Sequence, residues 1–172
     1  SFGNIPQRIA ELLKPFGMRI IAYDPYISDD ILKSQDVERV ETLEELFTRS
    51  EYISVHTPLT PGTRHMIGKE QFRKAKEGAV VICTGRGGVI DEAALKEAIE
   101  SGKVASAGID VIEDEVRYHS VLTGMKEVVM TPHSAYYSED SIDEVRVKAM
   151  EQIIEVLEKG TLPKYLVNKA VD

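Results

Sequence analysis

The stretch "GAVVICTGRGGVIDEAALKEAIESGKVASAGIDV", residues 78–111, decides the fold. Its first part, "AVVICTG" (79–85), is a continuous apolar run closed by glycine, the pattern of a strand buried on both faces. "DEAALKEAIESGK" (91–103) places Asp91 where an N-cap belongs and Gly102 near the end, which marks a helix. "VASAGIDV" (104–111) is a second buried strand. Strand, helix and strand in this order form a βαβ unit, the building block of a parallel sheet.

The alternation continues in both directions. "NIPQRIAELLKPFG" (4–17) spaces Ile5, Ile9, Leu12, Leu13 and Phe16 as on one face of a helix that ends at Gly17. "MRIIAYD" (18–24), "YISVHTP" (52–58) and "EVVMTPH" (127–133) read as further strands. "TLEELFTRS" (42–50) begins with Thr42 and has Glu45 three residues later, a capping box. A long helix is expected from Ser138 to Glu158, stopped by "GTLP" (160–163). The fold class is therefore α/β, a doubly wound parallel sheet covered by helices on both faces.

Composition narrows the function. The 172 residues suit one domain with a sizeable core, and a formal charge of −8 argues against nucleic acid or an anionic membrane as partner. The single cysteine, Cys83, lies in an apolar run; it reads as a core residue in a protein of a reducing compartment. No apolar run approaches the ~20 residues of a membrane span, and no signal peptide opens the sequence, so the cytoplasm is the expected location. No Cys/His cluster has metal-ligand spacing.

Ligands of such sheets bind at the carboxyl ends of the strands. The polar residues there are Asp24, His56-Thr57, Thr84-Gly85-Arg86, Asp110 and His133. At the start of the chain, Ser1, Gly3 and Pro6 occupy the spacing G-x-G-x-x-G with only the middle glycine kept. Gly3 allows a backbone turn and helix start to approach a pyrophosphate. Asp24, about 20 residues on, is placed to accept from ribose hydroxyls and to repel a 2′-phosphate, which favours NAD over NADP. The competing reading of Asp24-Pro25 is an ordinary strand-ending turn.

On the reactive side, Arg86 sits between glycines after a buried strand and offers a planar fork for a carboxylate; the alternative is a surface ion pair. His133 is the side chain best suited to exchange protons near neutrality, against a purely structural role. Glu113, Asp114 and Glu115 follow another strand, and a carboxylate beside the histidine would orient its ring; the alternative is a solvated acidic loop. His56, His65 and His119 lack comparable support: His119 reads as a loop residue, and His56 as lending its backbone to a turn.

Taken together, "SFGNIPQRIA…AYDPY", "HTPLTPGTRHMI", residues 78–111 and "VVMTPHSAYYSE" resemble the D-isomer-specific 2-hydroxyacid dehydrogenases, in the family's order through nearly the whole chain. "YDPY", "TPHSAYYSE" and "LVNKAVD" are similar to the branch that includes the C-terminal-binding-protein corepressors and their bacterial dehydrogenase relatives. The resemblance implies a Rossmann-type NAD-binding domain over residues 1–172. It implies that His133 exchanges the proton of the substrate carbonyl, that Glu115 pairs with it, and that Arg86 binds a small 2-keto or 2-hydroxy acid. Glu115 is chosen by its spacing of five after Asp110, with Glu113 the alternative. It also implies that Ser1, Gly3, Asn4, Ile5, Pro6, Asp24, His56, Thr57, Pro58, Thr63, Thr84, Gly85, Arg86, Asp110, His133 and Ala135 line the cofactor.

Departures are Val116 where the family has proline, a short connection from Glu115 to His133, and Ser1 and Pro6 in place of fingerprint glycines. The first strand and the substrate domain have no counterpart in the residues, so the chain is expected to be part of a longer, homodimeric protein. The segment 138–172 is then expected to pack toward the substrate domain. Three functions compete: a dehydrogenase, an NAD-sensing corepressor or scaffold, and a nucleotide-binding domain without a competent site.

Overall fold

A computed structural model describes residues 1–163 and 166. The chain divides into two compact units, Ser1–His133 and Ser134–Asp172. In the first, the elements are α1 (Asn4–Leu13), β1 (Ile21–Ala22), α2 (Asp29–Ser34), β2 (Glu38–Arg39), α3 (Leu43–Arg49), β3 (Tyr52–Val55), α4 (Lys69–Lys74), β4 (Ala79–Cys83), α5 (Glu92–Glu100), β5 (Val104–Ile109) and β6 (Val128–Met130). The second unit contains α6 (Glu139–Lys159). The closing "LVNKAVD" lies, apart from Leu166, outside the described residues.

All strand pairs are parallel. They form a four-stranded sheet, β3-β4-β5-β6, and a two-stranded sheet, β1-β2. This is the Rossmann-like architecture expected, and the strands that flank residues 84–91 are its central pair. The burial pattern of β4 alternates between buried and half-buried residues, as a strand covered on both faces requires. A cavity of about 910 Å³ is lined by residues of both sheets, among them Ala22, Ile53 and Val55. Two apolar clusters follow the same division. The larger gathers Phe47, Phe72, Val81, Leu95 and Leu122 around β3–β6; the smaller holds Phe2, Ala10, Ala22, Leu32 and Val37 around β1–β2.

Local signals explain the helix ends. Thr42 Oγ1 accepts from Glu45 N–H (3.0 Å) and caps α3, but Glu45 reaches back to Glu41 N–H (3.2 Å), one residue before the N-cap a full capping box would use. Asp91 caps α5 through Ala94 N–H at 3.0 Å. Gly17 and Gly160 take left-handed φ at the ends of the first and last helical segments. The expected strand 18–24 contracts to two residues because β1 has a hydrogen-bonded partner on one side only, β2.

Candidate active site

The turn into α1 starts the helix at a glycine. Gly3 is its N-cap; no side chain caps the helix, and its first turn holds no acid. The first N–H groups of the helix are therefore left without a side-chain cap. A Cβ built on Gly3 meets nothing within 4 Å, so what glycine provides here is room. Asn4 and Ile5 are exposed, and Pro6 stands in the first turn, where its missing N–H costs no hydrogen bond.

Asp24 lies directly beneath this turn. Its Oδ2 accepts from Phe2 N–H (2.7 Å) and its Oδ1 from Tyr26 N–H (2.8 Å) and Ile27 N–H (3.3 Å). Burial disfavours the carboxylate, but these backbone donors outweigh it and hold the pKa below the usual carboxylate range. Asp24 thus ties β1 to the turn that begins the chain, and Oδ2 has a second lone pair for a further donor. Ser1 Oγ lies 3.4 Å from Thr57 Oγ1, which brings the end of β3 to the same edge.

Behind Thr57, His56 Nε2 bonds Ser54 Oγ at 2.8 Å, and burial lowers the histidine's pKa. Thr63 Oγ1 donates to Pro58 C=O (2.6 Å) and accepts from Thr60 N–H (2.8 Å), closing the turn 58–63. At the end of β4, Thr84 is half-buried and Gly85 packs on the Thr57 carbonyl, which a Cβ would approach to 3.1 Å. Cys83 is buried, and burial pushes its thiol pKa up, so it is an inert core residue. Arg86 is exposed; Nη1 donates to Gly85 C=O (2.7 Å), and the guanidinium makes no ion pair among the described residues.

His133 follows β6 in a left-handed backbone (φ 51°). Two hydrogen bonds hold it there: its N–H donates to Asp110 C=O (2.8 Å) and Thr131 C=O (3.0 Å). Asp110 is itself buried and accepts from Thr131 Oγ1 at 2.5 Å, so one residue at the end of β5 fixes both the histidine and its approach. His133 Nδ1 lies 3.0 Å from Glu115 Oε1. A carboxylate only accepts, so this contact favours a proton on Nδ1. Ala135 belongs to the second unit.

Glu92 and Ser120 were not singled out in the sequence, and Glu113 was held there as the alternative to Glu115. Glu113 does not pair with His133 but with His65, Oε1 to Nε2 at 3.0 Å, and with Arg64 at 3.6 Å. Glu92 is buried and bonds both Glu113 N–H and Ser120 Oγ. The one available signal was periodicity: Glu92 falls on the buried stripe of α5 with Leu95 and Ile99, where an acid is out of place.

Comparison with known proteins places this arrangement among familiar ones. Residues 1–135 match the family described as "D-isomer specific 2-hydroxyacid dehydrogenase, NAD binding domain". The chain is 41% identical to D-3-phosphoglycerate dehydrogenase of Methanocaldococcus jannaschii, over 98% of this chain and 32% of that protein. It is 42% identical to hydroxypyruvate reductase of Thermotoga maritima, over 91% of this chain and 51% of the other. It thus spans about a third to a half of the length of these relatives. The fold is similar to the crystal structure of D-lactate dehydrogenase from Aquifex aeolicus complexed with NAD and lactic acid. That match has a TM-score of 0.81 and 32% identity, and covers 93% of this chain and 52% of the other.

Proposed function

The chain belongs to the D-isomer-specific 2-hydroxyacid dehydrogenases, as their NAD-binding domain, and on that premise we propose that it is the cofactor half of an oxidoreductase that interconverts a 2-keto acid and a D-2-hydroxy acid. The observation that carries this reading is the 3.0 Å contact of Glu115 with His133 at the strand ends. The residues also fit the dinucleotide: an uncapped helix start at Gly3, open space above it, and an ionised Asp24 with acceptor capacity left. When bound, NAD supplies the hydride acceptor, and NADH the donor.

The chain's own groups do the rest. Arg86, whose guanidinium makes no ion pair among the described residues, holds the substrate carboxylate and draws electron density from the adjacent carbonyl. In reduction, His133 Nε2–H donates its proton to the carbonyl oxygen; in oxidation, neutral Nε2 takes the proton from the hydroxyl. Glu115 accepts from Nδ1–H, fixes the ring's tautomer, and stabilises the imidazolium that forms in the oxidative direction.

The test uses the full-length protein with NADH and a panel of 2-keto acids of graded side-chain size, followed by loss of NADH absorbance. Turnover of at least one acid is expected. NADH binding without turnover of any would leave a binding domain only. The corepressor reading draws no support from the relatives named above, which are dehydrogenases and reductases, and is not carried further.

Asp24→Ala is expected to weaken NADH about tenfold, or 1.4 kcal/mol, and to narrow the preference over NADPH. The carboxylate that repels a 2′-phosphate is gone, and Phe2 N–H loses its acceptor. Titration of both nucleotides by fluorescence checks this; an unchanged ratio of the two affinities would contradict the assignment.

Two further readings belong to the same proposal. Homodimer formation, or packing against the substrate domain, is supported by α6, where Val145, Met150 and Leu157 are each more than half exposed. A cytoplasmic location is supported by the single buried cysteine.

A further inference from the structure

We propose that Glu92 is a positioning residue for the reaction, holding the Glu115 loop against His133. The inference rests on the pairing of Glu115 with His133 set out above. Both side chains of that pair are about 40% exposed, 39% for His133 and 43% for Glu115. Exposed pairs contribute about 0–1 kcal/mol and do not hold a loop in place by themselves. The position of Glu115 must come from its backbone.

Glu92 supplies it from both sides. Its Oε1 accepts Glu113 N–H (2.6 Å), two residues before Glu115, and its Oε2 accepts Ser120 Oγ–H (2.5 Å), five residues after. Ser120 Oγ in turn accepts Leu122 N–H at 3.1 Å, passing the anchor into the core at Leu122. Between these points the loop bonds to itself, His119 N–H to Asp114 C=O (3.2 Å) and Arg117 N–H to Asp114 Oδ1 (3.2 Å), which shapes it without fixing where it sits. Glu92 N–H completes the clamp by donating to Glu113 Oε1 at 3.4 Å. A carboxylate only 9% exposed is expensive to bury, and an apolar residue on this stripe of α5 would cost less. What an apolar residue could not do is accept from the Glu113 N–H and the Ser120 hydroxyl at once.

The readout is the tautomer of His133 in the full-length protein, measured by ¹⁵N NMR at a pH where the ring is neutral. Glu115 favours the Nδ1–H form, and a free imidazole favours Nε2–H. Glu115→Ala calibrates the loss of the carboxylate. Glu92→Ala is expected to move the tautomer ratio most of the way to the Glu115→Ala value and to lower kcat about tenfold, with KM and NADH affinity little changed. Glu92→Gln should restore the ratio, because its amide oxygen accepts Glu113 N–H and its amide nitrogen donates to Ser120 Oγ. A wild-type ratio in Glu92→Ala, when Glu115→Ala shifts it, overturns the clamp and leaves the catalytic pair standing. No shift in Glu115→Ala overturns the pair, and the clamp with it. If Glu92→Ala does not bind NADH, Ser120→Ala carries the test with a smaller expected shift, and no shift there overturns the clamp.

Discussion

His133→Asn is expected to lower turnover of 2-keto acids by about 10³-fold while leaving NADH affinity within about twofold. Asparagine is the informative replacement because His133 has φ 51°, a backbone region that asparagine tolerates and alanine does not favour. The backbone bonds to Asp110 and Thr131 involve only the main chain and survive the change. The loss therefore isolates the imidazole from the turn that carries it. The drop should appear in kcat, since the proton moves only as the carbonyl is reduced. Steady-state kinetics beside a fluorescence titration of NADH checks it, and turnover within tenfold of wild type would remove His133 from its role.

Gly87→Ala is expected to destabilise the domain by at least about 3 kcal/mol and to abolish activity. A Cβ at this position would stand 1.8 Å from the Ile112 carbonyl oxygen and 2.3 Å from its carbon. Both are backbone atoms, so no rotamer change relieves the clash. The turn bearing Arg86 and the loop leading to Glu115 must separate, and the second is anchored at Glu113 by Glu92. Urea denaturation of the two proteins measures the effect; a difference below about 0.5 kcal/mol would mean that the two loops are free to part.

The parts of the fold legible in the sequence are those with period. The helices α1, α5 and α6 announce themselves by spacing and caps, and β4 and β5 by apolar runs. The strand β2 was not legible because "ER" has no apolar pattern. It is a strand because β1 pairs with it, Ile21 to Glu38 and Ala22 to Arg39, and because Arg39 reaches Asp29, Asp24 C=O and Ile27 C=O. Such contacts are tertiary, and α2 and α4, six residues each, depend on them in the same way.

At the site, Arg86 and His133 were legible because each closes an apolar strand, and Glu115 required the resemblance to select it from three neighbouring acids. Glu92 was hidden for a different reason. At the first position of a helix an acid is ordinary, which masks the periodicity that sets this one on the buried stripe of α5.

The two apolar clusters have a consequence for the domain's energetics. The smaller one carries Phe2, next to Gly3, and Ala22, close to Asp24, and its two strands share no hydrogen-bond ladder with the larger sheet. A dinucleotide lying across this edge would bridge both clusters, and at a hundred times its dissociation constant it adds about 2.7 kcal/mol to the bound form. Filling the site and holding the two clusters together then become one equilibrium, with the cofactor acting as a staple between them.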